Sequence, residues 1–257
     1  MKYALFFLFG VLFVSTATAQ EELSAQEWFN KGKLHQTAGE EELFKIMLGK
    51  SKSLTCDLKQ CPSFAIAIYA FNTAIELYKN DNNHTEPHRS EVNYELGDVH
   101  NSRGEVYSWL GDYKQAIVDY SKAIKLQPEN QEFWCNRGSA YKEIGNFQQA
   151  IQDSEKAIQL EIQNTGYYYV DALSLQAYAY EKLGFFRQAI TDYDMLIKNS
   201  PEDYGLYFRR GNAYYHLQNY EDAKKDWRYA AKHGNKQASD SLAKVGGLSF
   251  WGKVNPW

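Results

Sequence analysis

The sequence predicts an all-α chain built as a solenoid of antiparallel helix pairs. Three observations carry that expectation. A short motif recurs, reading NSRGEVY at 101–107, CNRGSAY at 135–141 and FRRGNAY at 208–214, so that an arginine, a glycine and a tyrosine return at fixed positions. The spacing suits a helical hairpin: Gly104 and Gly138 stand 34 residues apart (138 − 104), and Ala177 and Gly211 are separated by the same interval (211 − 177). Beyond each motif the alanines return at helical spacing, as in Ala116 with Ala123, Ala150 with Ala157, and Ala223 with Ala230. Self-similarity at a fixed period of this length marks a stack of supersecondary units, each too small to bury its apolar face alone.

Residues 1–19 stand apart from that pattern. MKYALFFLFGVLFVSTATAQ carries Lys2, an apolar run from Ala4 to Val14, and small residues at Ala17 and Ala19, which reads as an export signal cleaved after Ala19. The run falls short of the roughly 20 apolar residues that span a bilayer, and no cysteine follows the cleavage point to take a lipid. Residues 20–96 read as an irregular first unit. WFNKGKLHQTAG places Trp28, Gly32 and Gly39 in first-helix positions, and FAIAIYAFNTAIELY supplies the matching second helix with Phe64, Ala67, Phe71 and Ala74 in phase. Between them lies an insertion at 40–63, helical in pattern over EEELFKIML and loop-like afterwards. The unit is then either one distorted hairpin or a separate helical cap. A second irregular stretch, KNDNNHTEPHRS at 79–90, precedes the regular core.

The core divides into 97–130, 131–164, 170–203 and 204–235. In each, a small residue (Gly104, Gly138, Ala177, Gly211) sits inside the first helix, where glycine costs about 1 kcal/mol of propensity relative to alanine. Its recurrence at one position assigns it to close helix packing. Gln127-Pro128 and Asn199-Ser200-Pro201 end second helices, and five extra residues around NTGYYY (164–169) interrupt the phase. Residues 236–257 supply a capping helix and an aromatic tail with Phe250, Trp251 and Trp257, either packed on the array or offered to a partner.

The phased set of residues resembles the tetratricopeptide repeat (TPR), whose units are helix pairs of 34 residues. The resemblance covers the four regular units and, less closely, the first. It implies a right-handed superhelix whose successive first helices line a concave groove that holds extended peptides or partner helices; the N-terminal signal segment, in turn, reads as that of an exported bacterial member.

Composition narrows the partners. The chain of 257 residues carries a formal net charge of −4, with Tyr and Trp abundant, and shows no basic excess of the kind that nucleic acid or an anionic membrane attracts. A protein or peptide partner is expected, with no cofactor. Cys56 and Cys61 are close enough to form a disulfide in an exported chain, the alternative being two thiols in a loop. Cys135 falls in a helix and reads as buried. His84 and His88 have HxxxH spacing, but Pro87 denies them helical geometry, and no HExxH, P-loop, GxGxxG or GxSxG occurs. No catalysis and no metal site is expected.

The resemblance implies groove positions. They are Asp98, Asn101, Glu105, Glu132, Asp171, Tyr178, Glu181, Phe208, Asn212 and Tyr215, acidic in the middle and aromatic toward the C-terminal end. That surface suits a peptide with basic and apolar side chains, although solubility alone also accounts for the acids. The chaperone-clamp pattern of related cytosolic proteins is not met: Asn136 and Arg209 lie two units apart without the matching lysines, and Glu132 and Asp171 would repel a carboxylate. Arg103, Arg137 and Arg210 are expected to form ion pairs between repeats. The functional expectation is an exported adaptor or scaffold at the periplasm or cell envelope, or outside the cell; the alternative is a structural subunit of an envelope assembly that uses 40–63 and the tail.

Overall fold

The computed structural model describes residues 23–49, 62–80, 86–165 and 170–252, with no strand among them. The leader, Cys56, Cys61, His84 and the last residues of the tail lie outside the described residues. The helices are α1 (Ala25–Gly49), α2 (Pro62–Asn80), α3 (Glu86–Trp109), α4 (Tyr113–Leu126), α5 (Gln131–Glu143), α6 (Phe147–Thr165), α7 (Val170–Leu183), α8 (Phe186–Asn199), α9 (Tyr204–His216), α10 (Tyr220–Lys232) and α11 (Lys236–Gly252). Each packs on the next in the chain, and the first helices of successive pairs also meet, α1 on α3, α3 on α5 and α5 on α7. This is an all-α solenoid of antiparallel helix pairs with the first helices as its inner layer.

The pattern of small and large residues explains the packing. A Cβ added at Gly104 would come within 2.7 Å of the Tyr120 ring, and one at Gly211 within 2.7 Å of Trp227. Both rings come from the second helix of the same pair, so each missing side chain is the seat of an aromatic. The alanines Ala116, Ala123, Ala150, Ala157, Ala189, Ala223 and Ala230 are fully buried and let the backbones close up. In the first pair Phe64 and Phe71 fill the space, with Val99 and Val106 of α3 completing that cluster.

Three segments differ from the sequence expectation. EEELFKIML continues α1 without a break to Gly49, so 40–49 lengthens the first helix and does not leave it. Residues 86–90 begin α3, ahead of the regular unit at 97; Pro87 falls in the first turn, where its missing N–H has no intrahelical partner to lose. The phase break after 160 is a longer helix: α6 has 19 residues where α4 has 14. At the far end Leu242 and Val245 of α11 pack on Trp227, Ala230 and Ala238 and close the last apolar face.

Candidate functional site: the concave groove

The inner layer presents two groups of side chains with opposite charge. The first is acidic and lies on α3 and α5. Asp98 accepts a hydrogen bond of 2.9 Å from the Gln127 side-chain amide, and loss of solvent raises its carboxyl above the usual carboxylate range. Glu105 accepts from Gln36 at 2.7 Å and from Asn101 at 2.9 Å, with Lys33 at 3.8 Å. The carboxyl of Glu132 is also raised, by loss of solvent first and then by the negative charges of Glu105 and Asp98. Three carboxylates gathered on neighbouring helices favour an arriving cation.

The second group surrounds Tyr178 on α7. Lys182, Arg209 and Lys142 hold their charges 5.1, 5.6 and 5.7 Å from the centre of its ring, within reach of a cation–π attraction. The edge of Phe147 supports the ring at 6.2 Å. Glu181 partly offsets this positive charge, since it lies 3.6 Å from Arg209 and accepts the Tyr193 hydroxyl at 2.7 Å. An open cleft of about 410 Å³ lies here, with Ser139, Asp171, Ser174, Tyr178 and Arg209 on its walls.

The expected groove residues therefore divide. Asp98, Glu105 and Glu132 come together, and Asp171, Tyr178 and Glu181 lie in or beside the cleft. Asn101 is buried and spent: it donates to Glu105 and accepts from Asn136 at 3.1 Å. At the C-terminal end Asn212 accepts the Trp227 indole N–H at 3.0 Å, Tyr215 lies against Trp227 and Tyr220 at 5.4 Å each, and Phe208 packs on the same cluster. These three serve the terminal core, because the last pair has no following repeat to cover it and draws on its own inner side chains. Of the three cations around Tyr178, Lys142 and Arg209 fall at phased groove positions in the sequence, while Lys182, one helical turn beyond Tyr178, was missed.

Cys135 is buried against Ala157 and Ala172. Among the described residues no group of three or more His, Cys, Asp or Glu side chains gathers in a way that holds a metal ion, and no helix is long and apolar enough to cross a membrane.

Comparison with known proteins agrees with this geometry. Models of the TPR repeat and the tetratricopeptide repeat match residues 104–145, 131–161 and 174–239. Among solved structures, a crystal structure of MamA protein is similar at 21% identity with a TM-score of 0.55, over 83% of this chain and 94% of that one. MamA from Desulfovibrio magneticus RS-1, from residue 41 to its end, aligns at 17% identity and 0.54, over 79% and 94%. YrrB, described as a TPR protein with an unusual peptide-binding site, aligns at 18% identity and 0.58, over 73% and 87%. No curated protein matches the sequence at a significant level. The stacked helix pairs and the matched repeat models together show tetratricopeptide repeats over 104–161 and 174–239 of this chain.

Proposed function

We propose that the protein is an exported adaptor that holds an extended segment of another protein along its concave groove. The observation that carries this reading is the polarity of the groove: Asp98, Glu105 and Glu132 at one end, and Tyr178 ringed by Lys142, Lys182 and Arg209 at the other. A segment with a basic side chain toward α3 and an acidic or aromatic one toward α7 meets both ends, and the charges fix its direction more than they add affinity. The solved structure of YrrB, with its peptide-binding site, supports the general mode of use. Export rests on the N-terminal sequence, with Lys2, the apolar run to Val14 and the small residues before Gln20.

The test places a photo-crosslinking residue at Ser139 or Ser174 in intact cells and maps the products by mass spectrometry. Recurrent links to one other protein are expected, and they should drop at least fivefold in a Glu105→Lys, Glu132→Lys double variant. No links from Ser139 or Ser174, with links to another protein only when the same residue is placed within 40–63 or 248–257, would replace the adaptor with a structural subunit of an envelope assembly. Accumulation of the uncleaved chain inside the cell would remove the export half of the proposal.

A further inference from the structure

Each regular pair except one is held by the same bidentate contact. Arg103 donates through Nε and an Nη to the two oxygens of Asp119, at 2.7 and 2.6 Å. Arg137 does the same to Asp153, at 2.8 and 2.7 Å, and Arg210 to Asp226, at 2.8 and 2.7 Å. In every case the other Nη reaches the preceding second helix, to Asn72, Ser121 and Asp194 respectively. Arg137 and Arg210 also lie 5.9 and 6.0 Å from the ring centres of Tyr141 and Tyr214, four residues on.

The third pair keeps every partner of this arrangement and changes its centre. Asp192 stands at the position of Asp119, Asp153 and Asp226, Glu155 at that of Ser121 and Asp194, and Tyr180 at that of Tyr141 and Tyr214. Gln176 stands where the arginines stand (192 − 176 = 16, the spacing of the other pairs). Its side chain is shorter and carries no charge. Asp192 is 7% exposed, and its Oδ2 has no hydrogen-bond partner. The Tyr180 hydroxyl hydrogen-bonds Glu155 at 3.2 Å, on the solvent side.

We propose that Asp192, Glu155 and Tyr180 form a binding site for a guanidinium group supplied from outside the chain. The same set of partners binds this same group elsewhere in the molecule, and those arginine side chains keep 14, 17 and 19% exposure, so the filled positions reach the surface. Two carboxylates face one place: Asp192 from α8 and Glu155 from α6, with the Tyr180 ring from α7 beside them. The two arginines on α9 are already engaged, Arg210 by Asp194 and Asp226 and Arg209 by Glu181. A planar fork matches a carboxylate in a way that an ammonium does not. The site lies away from the cleft around Tyr178 and does not depend on the groove reading.

The experiment titrates the whole chain with n-butylguanidinium, with an N-acetylated Gly-Arg-Gly amide, and with n-butylammonium as a cation of equal charge without the fork. Binding is read from amide NMR shifts. Saturable shifts confined to α6, α7 and α8 are expected, at least fivefold tighter for butylguanidinium than for butylammonium and stronger at pH 8 than at pH 6. They should be lost in Asp192→Asn. They should also be lost in Gln176→Arg, which fills the position from within and should melt higher than the parent, so that loss of binding is not loss of fold. Equal binding of the tripeptide amide assigns the group to a protein side chain; binding of butylguanidinium alone assigns it to a small guanidinium compound. Absence of saturable shifts, equal binding of butylammonium, or undiminished binding to Gln176→Arg would overturn the proposal.

Discussion

A carboxylate taken out of water is stable only where a cation or several donors replace its hydration. Asp119 meets that condition through Arg103 and His100, which hold its carboxyl below the usual range against the opposing effect of burial. Asp192 has neither, and burial together with the charge of Glu155 pushes its carboxyl up to about 7. The folded protein therefore binds this proton more tightly than the unfolded chain does. That contribution is fully present below the unfolded value near 3.8 and is lost as pH rises through about 7. The gap caps the effect at about 4 kcal/mol, and water on the Glu155 side lowers it to an expected loss on the order of 2 kcal/mol between pH 5 and 8. Urea unfolding of the parent and of Asp192→Asn checks this: the difference between them should favour the variant at pH 8 and vanish or reverse near pH 5. A difference that does not change with pH would show that Asp192 keeps an ordinary carboxyl. The arginines of this ladder were legible in the sequence as a phased set expected to pair between repeats. Their acids were not, because a carboxylate sixteen residues away on another helix leaves no local pattern, and the pairing is within each repeat first.

Helix ends follow the same repetition. Gly111, Gly145 and Gly184 close first helices in the left-handed region, with φ of +78°, +77° and +78°. The N–H of Gly111 turns back to Ser108 and that of Asp112 to Tyr107, which satisfies the last carbonyls of α3. In the last regular pair the position belongs to Gln218, at φ 60°, with the same backbone bond to Tyr215. A side chain there costs about 1–2 kcal/mol of conformational energy, and glycine returns about half of that through its freer unfolded state. Gln218→Gly should stabilise the chain by about 0.5–1 kcal/mol, read from the urea midpoint; a neutral or destabilised variant would mean that the exposed Gln218 side chain has a role of its own. Residue types at turns are visible in a sequence for this reason. Helix lengths are less so: both 40–49 and the five residues after 160 extend existing helices, since a helix can grow at its solvent end without any change in the face it buries.

At the scale of the molecule, contact runs from neighbour to neighbour: each helix packs on the one before and after it, and from α1 to α7 the first helices meet the next first helix. Stability in such a chain is close to a sum of units and interfaces, so damage should stay near where it is made. The C-terminal end offers the clearest case. Ala223, Trp227 and Ala230 of α10 are buried in part by Ala238, Leu242 and Val245 of α11, and α9 has given Phe208, Asn212 and Tyr215 to the same cluster. Removing 236–257 exposes that face, and among the described residues α11 packs on α10 and not on α3 to α6. Hydrogen exchange on the truncated chain should show protection falling by at least tenfold in α9 and α10, less in α7 and α8, and not measurably in α3 to α6. A uniform loss across all helices would mean that the array unfolds as one cooperative body. In that event the unpaired carboxylate of Asp192 would weaken the groove at α3 as much as it weakens its own repeat. If protection falls only locally, the acidic and cationic ends of the groove rest on separately stable supports, and a partner that engages both must itself bridge the joint at the third pair.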